Sequence, residues 1–376
     1  MERGIIMGVD GDGLVADTEG AIVGAASMDI PREIDRNGEG ITVGADRVVI
    51  NRNMSVSDMA GIWLSNNVRG FVRDSGFANY CNHVRRITSY LGECAAAELD
   101  RQYVQRFISK LIIEDKLAAG TVRGIVTTLS SIFKAMVEDG FLLKNPCTKL
   151  KLPAIAEKEI KVFSRRDQER LQQNILDSQD YRDFGVLICL FTGIRLGELC
   201  ALRWECVDFK RKMLYIRVSV GRVKDFSKGA TSKTRIVETE PKTAKSKRGI
   251  PLPAFLYRKL KEMKEGSKSK YIIPSKADDD APIQPRTMQH VYKRLLARAK
   301  LDYVNFHTLR HTFATRCVEQ NADIKSLSEI LGHSNINITL NRYVHSLIEQ
   351  KRRLMAGMDL LFSKKRTRTN PMRDIS

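Results

Sequence analysis

A stretch of 20 residues near the middle of the chain, NPCTKLKLPAIAEKEIKVFS at 145–164, most strongly limits how the chain can fold. It contains two prolines and alternating lysines but no apolar face with helical spacing, which is typical of an extended connection. Helical patterns stand on both sides of it. With 376 residues, the chain is also longer than most single domains. The sequence therefore predicts two folded domains joined by a basic linker at residues 149–163.

The part before the linker is predicted to be helical. Apolar residues recur with helical spacing in four segments, near 55–65, 75–91, 98–114 and 121–138. The last pattern is the clearest, with Thr121 as a candidate N-cap and Gly140 as the residue that ends the helix. Residues 53–148 are therefore predicted to form a small all-helical domain.

The two ends of the chain lack such patterns. Residues 1–52 are rich in Gly and Asp, carry more acidic than basic residues and show no sustained period. Either a small hairpin or a largely disordered segment is compatible with them, and no fold is assigned. The tail at 363–376 is basic and is predicted to be mobile.

The part after the linker, residues 164–362, is predicted to be a larger domain of helices with one small antiparallel sheet. Ser164 and Asp167 have the spacing of a capping box, and Gly193 ends a later helix. Strand-like runs are found at 213–220, 234–240 and 248–252. Helical patterns follow at 253–264, 286–299, 308–319, 323–331, 336–344 and 346–361. The predicted fold class is mainly α with a small antiparallel β-sheet.

The chain is strongly basic, with 63 Lys and Arg against 44 Asp and Glu and a formal net charge of +19. Such a balance favours a polyanionic partner, nucleic acid first and an anionic membrane surface second. The membrane is the weaker alternative because we find no apolar run of spanning length, no lipidation motif and no charged-then-apolar leader. We expect a soluble cytoplasmic protein that does not bind membranes.

Neither the cysteines nor the histidines indicate a metal site. The seven cysteines are scattered in apolar surroundings and never form a CxxC pair, which predicts reduced, buried thiols. His307 and His311 are one helical turn apart, but no HExxH glutamate lies between them. We therefore expect neither a metal ion nor another cofactor.

Three stretches carry groups suited to phosphodiester cleavage without a metal ion. Guanidinium groups can hold the phosphate oxygens in that reaction, because they bind them bidentately and remain charged. In TGIRLGEL, Gly193 interrupts a buried helix and Arg195 is expected near the start of the next, where anions bind well. Glu198, one turn on, could hold Arg195 in place. Taken alone, this spacing more often means an ordinary ion pair.

The other two stretches stand later in the chain. HTLRHTFATR places His307 and Arg310 on one face of a helix, where they could meet the same phosphate; a solvated basic face is the alternative. LGHSNINITLNRY places His333 after a glycine break and Tyr343 one short helix later. A single tyrosine in a polar helix is ordinarily amphipathic surface. The presence of all three stretches in one chain favours the chemical interpretation.

In this order, TGIRLGEL, HTLRHTFAT and LGHSNINITLNRYVH resemble the motifs of the tyrosine recombinase (phage integrase) family. PKTAKSKRGIPLP resembles that family's lysine hairpin and the strand after it. The resemblance extends strongly over residues 158–362 and more weakly over 55–148, through the layout and VSDMAGIWLSNNV. It implies a helical core-binding domain and an α+β catalytic domain that clamp DNA between them.

The resemblance implies roles for individual residues. Tyr343 matches the nucleophile, whose phenoxide attacks phosphorus and leaves a 3′-phosphotyrosyl bond and a free 5′-hydroxyl. Arg195 and Arg310 match the two arginines that clamp the non-bridging oxygens, so that neither metal nor ATP is needed. His307 matches the histidine that assists proton removal from the tyrosine, and His333 matches the one that hydrogen-bonds the phosphate.

Two further roles follow from the same resemblance. Lys242 matches the hairpin lysine that protonates the 5′-oxygen, with Lys245 and Lys247 as nearby competitors. Glu198 matches the acidic residue that buttresses the site. The loop GRVKDFSKGATSKTR resembles the longer hairpin of integrases from conjugative transposons and temperate phages, and is either a DNA contact or a solvated loop.

The implied function is site-specific recombination of double-stranded DNA at attachment or core sites. The implied assembly is a homo-tetramer in which the helix at 346–361 packs on a neighbouring protomer, although packing within its own protomer is the alternative. Excisionase and DNA-bending accessory proteins are further implied partners. A type IB topoisomerase and a non-catalytic DNA-binding regulator remain as alternative functions. Residues 1–52 are not basic, unlike the arm-binding domain of long integrases, which puts arm-site binding in doubt.

Overall fold

The computed structural model describes residues 54–155, 160–226, 232–240 and 247–333, with six more residues at 335, 336, 352, 355, 356 and 358. Several predicted features lie outside the described residues: 1–52, Lys242, Lys245, Tyr343, 363–376, and most of the helices predicted at 336–344 and 346–361. The chain divides into two compact units, residues 1–157 and 158–376. Each unit has a hydrophobic core of its own.

The described part of the first unit is helical, as the apolar periods indicate. Its α-helices are α1 (Val56–Trp63), α2 (Asp74–Leu91), α3 (Arg101–Ile113) and α4 (Ala119–Glu138). A π-helical turn at Leu64–Val68 continues α1. The apolar faces of the helices form one core, with Met59, Ile87, Phe107 and Phe133 among its fully buried side chains.

Helix α4 begins earlier than predicted, so Thr121 is not its N-cap. The Thr121 N–H donates to the carbonyl oxygen of Ala118 at 2.9 Å, which places the Thr121 backbone inside the first turn. Ala118, in an extended conformation, occupies the cap position without a side-chain hydrogen bond. At the other end, Gly140 follows the helix with a φ of +80°, as the sequence predicts.

The chain after α4 is held against the helices of the first unit by hydrogen bonds from side chains of α3 and α4. Gln105 donates from Nε2 to the Lys151 carbonyl at 3.1 Å and accepts from the Lys151 N–H at 2.9 Å. Arg123 donates from Nε to the carbonyl oxygen of Pro153 at 2.9 Å. The first residues of the predicted linker therefore run along the helical unit.

The second unit combines helices with two small antiparallel sheets. Its helices are α5 (Arg165–Leu176), α6 (Tyr181–Thr192), α7 (Leu196–Cys200), α8 (Ala254–Glu265), α9 (Pro285–Arg298), α10 (Thr308–Glu319) and α11 (Ile324–Leu331). Its strands are β1 (Val207–Asp208), β2 (Met213–Ile216), β3 (Ser219–Lys224), β4 (Thr234–Thr239) and β5 (Arg248–Pro251). One sheet has the order β1-β2-β5, and β3 pairs with β4 in the other. The mainly α fold class with antiparallel strands is confirmed.

The strand predicted at 213–220 is in fact two strands that belong to different sheets. β2 pairs with β1 and β5, whereas β3 pairs along its whole length with β4. The change of partner occurs where β3 approaches α7: a Cβ on Gly197 would lie 2.6 Å from the carbonyl oxygen of Val220. A close tertiary contact with α7 therefore accompanies the change of sheet, and the run of β-favouring residues contains no sign of it.

Helix α6 is the centre of the second unit and ends at a glycine that its surroundings require. Most of its residues are buried, including the run from Asp183 to Leu190. Gly193 ends the helix in the left-handed conformation, with a φ of +65°. A Cβ at Gly193 would overlap the Phe313 ring and lie 2.9 Å from Leu331 Cδ2. The turn after α6 is therefore pressed against α10 and α11.

Two predictions about caps and thiols can be compared with the described residues. The Ser164 side chain accepts a hydrogen bond from the Asp167 N–H at 3.1 Å and caps α5 as predicted. All seven cysteines are free thiols; four are buried and three are half-buried. No described helix is long and apolar enough to cross a lipid bilayer.

Candidate active site

Arg195 stands at the N-cap of α7 and is held there by Glu198. The Glu198 carboxylate accepts from Arg195 twice, from the backbone N–H and from Nη1, both at 2.8 Å. Arg195 also donates from Nη2 to the carbonyl oxygen of Gly332 at 3.0 Å. The predicted contact between Glu198 and Arg195 is therefore present. Because Glu198 takes the Arg195 N–H, the guanidinium is the group of Arg195 that is suited to an anion.

A third residue, Arg248 on β5, completes this cluster. It donates from Nη1 to Glu198 Oε1 at 3.0 Å and from Nη2 to Glu198 Oε2 at 2.8 Å. Burial by itself raises the pKa of the Glu198 carboxyl, but the hydrogen bonds and charges of Arg248 and Arg195 outweigh it and lower the pKa to about 2. Glu198 is therefore ionised at any neutral pH.

Sequence reasoning did not single out Arg248, although a signal was available. Side chains two residues apart on a strand share a face, and Ile250 of the IPL strand is an evident core residue. That spacing directs the Arg248 side chain inward as well, whereas Lys247 is directed to the other face. In the structure Ile250 is 2% exposed and the Arg248 side chain 5%.

Arg310 lies on α10 and is buried between two helix ends. It donates from Nη1 to the Gly193 carbonyl at 2.8 Å and from Nη2 to the Leu331 carbonyl at 2.7 Å. His307 is at the N-cap of the same helix, exposed, with its ring edge-on to that of His311. His307 and Arg310 line one pocket of about 300 Å³, together with Ile194, Leu196, Gln289, Asn305 and Phe306.

Three arginines bind three successive carbonyl groups at the C-terminal end of α11. Arg248 Nε donates to the Ile330 carbonyl at 2.6 Å, and the next two carbonyls, of Leu331 and Gly332, accept from Arg310 and Arg195. The C-terminal end of a helix carries a partial negative charge, so cations stabilise it. Gly332 has a φ of +65°, and the break predicted before His333 is present.

The geometry thus brings together residues from distant parts of the sequence. Arg195, Arg310 and the residue before His333 meet within one set of hydrogen bonds. With Arg248 and Glu198 the cluster holds three guanidinium groups and one carboxylate, a net formal charge of +2. A positive cluster beside an open pocket is suited to an anionic group such as a phosphate diester.

Two of the predicted site residues, Lys242 and Tyr343, lie outside the described residues, as does Lys245. Lys247 is described: its Nζ lies 2.8 Å from Glu240 Oε2, and about half of its side chain is exposed. Which lysine serves as the proton donor remains a prediction.

Comparison with known proteins identifies the protein family of the chain. The model of the phage integrase family matches residues 161–350, half of the chain. The chain belongs to this family. A second model, of the N-terminal SAM-like domain of phage integrases, matches residues 72–141. This phage integrase family member is a tyrosine recombinase, and the family resemblance of its motifs is confirmed.

Several relatives of this tyrosine recombinase are known. A tyrosine recombinase XerC-like protein of Caldanaerobacter subterraneus subsp. tengcongensis is 30% identical over 334 residues, which cover 83% of this chain and 84% of the relative. The ICEBs1 integrase of Bacillus subtilis is 26% identical over 66% of this chain and 67% of its own length.

Solved structures share the fold. The integrase of transposon Tn1549, in complex with a circular intermediate DNA, superposes with a TM-score of 0.67 at 20% identity, over 80% of this chain and 99% of that one. A lambda integrase dimer bound to a core site has a TM-score of 0.57 at 18% identity, over 76% and 97% of the two chains.

Proposed function

We propose that this tyrosine recombinase is a site-specific integrase that cleaves and rejoins DNA through a 3′-phosphotyrosyl bond formed by Tyr343. The observation that carries the proposal is the meeting of Arg195 and Arg310, 115 positions apart in sequence, on adjacent carbonyls of the turn before His333. Such a cluster of guanidinium groups can stabilise the charge that develops on the phosphate oxygens during cleavage.

In this proposal the Tyr343 oxygen attacks phosphorus while the bond between phosphorus and the 5′-oxygen breaks. His307 assists removal of the phenolic proton, and Lys242 gives a proton to the departing 5′-oxygen. Arg195, Arg310 and His333 hold the non-bridging oxygens, and Glu198 keeps Arg195 oriented. The phosphodiester is exchanged for a phosphotyrosyl ester, so a 5′-hydroxyl of another strand can attack and rejoin the DNA without ATP.

The proposed substrate is double-stranded DNA at an attachment or core site, clamped by the helical domain at 53–148 and the catalytic domain at 164–362. Two observations support it: the net charge of +19, and the DNA bound to the Tn1549 and lambda integrases in their solved structures. We further propose a homo-tetramer, since lambda integrase forms one on a Holliday junction. Excisionase and DNA-bending proteins are proposed accessory partners, and the bacterial cytoplasm is the proposed location. Because phosphate contacts dominate such binding, affinity should fall steeply with salt.

The test uses nicked duplexes taken from the DNA that flanks the gene, in a buffer with EDTA. Cleavage next to the nick releases a short 5′-hydroxyl fragment, so the covalent adduct accumulates as a band that survives denaturant. Wild type and Tyr181→Phe, a change at the opposite end of α6 from Gly193, should both form the band. Tyr343→Phe should not. The mapped site is then tested for strand exchange between two labelled duplexes.

Each outcome has a distinct meaning. An adduct together with strand exchange supports the integrase. An adduct with relaxation of supercoils but no exchange between sites would identify a type IB topoisomerase instead. Salt-sensitive binding to the same DNA without an adduct would indicate a non-catalytic DNA-binding protein.

A further inference from the structure

Arg248 occupies an unusual place for a charged residue. It is the first residue of β5, where it pairs with Ile216 of β2, so the sheet fixes its backbone. Its side chain is only 5% exposed, and arginine is rarely that buried without dedicated partners. The neighbouring Lys247 is about half exposed, which shows that burial is specific to Arg248.

The Arg248 guanidinium uses all three of its nitrogens for contacts within the active-site cluster. Nη1 and Nη2 donate to the two carboxylate oxygens of Glu198, and Nε donates to the Ile330 carbonyl at 2.6 Å. Gly332 packs on the same group: a Cβ there would lie 3.0 Å from Arg248 Nη1. Arg248 therefore joins β5, α7 and the end of α11.

The bidentate contact fixes the plane of the Glu198 carboxylate. Oε1 accepts from both Arg195 Nη1 and Arg248 Nη1, and Oε2 accepts from the Arg195 N–H and Arg248 Nη2. Arg195 also contacts both oxygens, but without Arg248 the carboxylate would keep only two of these four hydrogen bonds. Its terminal torsion, which is intrinsically broad, would then be less restricted. The orientation of the Arg195 guanidinium therefore depends on Arg248 through Glu198.

Arg248 also sets the charge that the cluster offers to a phosphate. Without Arg248, the Glu198 carboxylate would neutralise Arg195, and the pair would have no net charge. With Arg248 present, Glu198 is shared between two guanidinium groups, and a positive charge remains on the side of Arg195. The side chains of Arg248 and Glu198 are both only 5% exposed, so their charges act on a nearby anion with less screening than charges at the surface would.

We propose that Arg248 is a positioning residue of the recombinase active site, which orients Arg195 on the scissile phosphate through Glu198 and keeps Arg195 from being neutralised. Its contact with Ile330 at the same time holds the turn that leads to His333. The inference rests on the proposed cleavage reaction, but it assigns a function to a residue outside the predicted catalytic set.

The test compares cleavage of a normal phosphate with cleavage of a methylphosphonate at the same mapped position in the nicked duplex. In the methylphosphonate a methyl group replaces one non-bridging oxygen, so the linkage carries no charge. Loss of positive charge from the site should therefore reduce its cleavage rate less than that of the phosphate. Arg248→Met should slow adduct formation on the phosphate about 10- to 100-fold, by analogy with residues that orient the ligands of metal sites. On the methylphosphonate the loss should be several-fold smaller. Arg248→Lys, which keeps the charge but not the bidentate contact, should lie between.

Arg298→Met is the matched control. Arg298 Nη2 donates at 2.6 Å to Asp183, a buried carboxylate near the other end of α6, so this change also removes a guanidinium from a buried acid. It should lower the urea midpoint as Arg248→Met does, yet leave the ratio of the two cleavage rates at the wild-type value. If Arg248→Met slows both substrates equally, in step with its loss of folded protein, Arg248 is merely structural and the proposal is overturned.

A second measurement separates this proposal from the proposed function. The Arg195 Nε–H resonance of the full chain, assigned by its loss in Arg195→Lys, should shift or broaden in Arg248→Met and remain in place in Arg298→Met. If wild type forms no adduct, the cleavage reaction is refuted. An Arg195 resonance that is unchanged in Arg248→Met refutes the positioning role, whatever the cleavage assay gives.

Discussion

The Arg310 guanidinium donates a hydrogen bond from Nη1 to the carbonyl oxygen of Gly193 at 2.8 Å. Gly193 presents this oxygen because it ends α6 in the left-handed conformation, at a φ of +65°. From Nη2 the same guanidinium donates to Leu331, so Arg310 joins the C-terminal ends of α6 and α11. The position of Arg310 therefore depends on the backbone of a glycine 117 residues away.

Gly193→Ala should destabilise the second unit and lower the rate of cleavage. A side chain at this φ is strained, and the new Cβ would overlap Phe313, so we expect a loss of roughly 2–4 kcal/mol. Gly140→Ala is the control, because Gly140 has a φ of +80° but an added Cβ there would have no atom within 4 Å. Its loss should be about 1 kcal/mol, from strain alone. Urea unfolding measures both; equal losses would contradict the tight packing at Gly193.

The lowered pKa of Glu198 predicts that the free energy of unfolding depends on pH in the acid range. Its pKa is lowered from the ordinary 4.5 to about 2 in the folded protein. A depressed pKa stabilises the folded state above the unfolded pKa, and this contribution is lost as the pH falls from about 4.5 towards 2. The contribution is roughly 3 kcal/mol by proton linkage. Unfolding free energies measured between pH 2 and pH 6 should therefore fall more steeply for wild type than for Glu198→Gln.

The exposed Glu205 provides the control for this pH dependence. It forms only a 3.5 Å ion pair with Arg203, and its side chain is 68% exposed. The profile of Glu205→Gln should run parallel to that of wild type. If the Glu198→Gln profile also runs parallel to wild type, the carboxylate is not held in its ionised form by Arg195 and Arg248.

The two hydrogen bonds between Gln105 and Lys151 predict that the chain at residue 151 is attached to α3. Gln105→Ala removes both hydrogen bonds to Lys151, and we expect a loss of about 1–2 kcal/mol. The Lys151 amide donates to Gln105 Oε1, so its hydrogen exchange should become faster in this variant. Gln102→Ala, an exposed position on the same helix, should leave that exchange rate unchanged. A Lys151 amide that exchanges equally fast in wild type would refute the attachment.

The sequence predicts best those features that depend on local signals. Helix α10 has the bounds that its pattern predicts, 308–319. The left-handed glycines at 193 and 332 and the Ser164 cap are likewise visible as single-residue signals. These features require no knowledge of distant contacts, because a backbone conformation or a cap hydrogen bond is settled within four residues.

Other features depend on residues far apart, and the sequence does not reveal them. The division of 213–220 between two sheets coincides with the approach of Val220 to Gly197, which local β propensity does not encode. Threonine is a good cap and so places the predicted start of α4 at Thr121, yet the helix begins with the alanine and glycine before it. The spacing from Ile250 indicates that the Arg248 side chain is directed inward, but the partner that makes Arg248 part of the site, Glu198, is 50 positions away in the sequence. The role of Tyr343 remains a prediction, since that residue lies outside the described part of the chain.

The most direct test of the proposed chemistry is to identify the amino acid that becomes attached to DNA. The adduct on the nicked duplex is digested with nuclease and trypsin, and the modified peptide is sequenced by mass spectrometry. Trypsin cuts after Arg342, so we predict that the nucleotide is carried by YVHSLIEQK, residues 343–351, linked from Tyr343 to a 3′-phosphate. A nucleotide on another tyrosine, on a serine or through a 5′-phosphate would contradict the proposed mechanism.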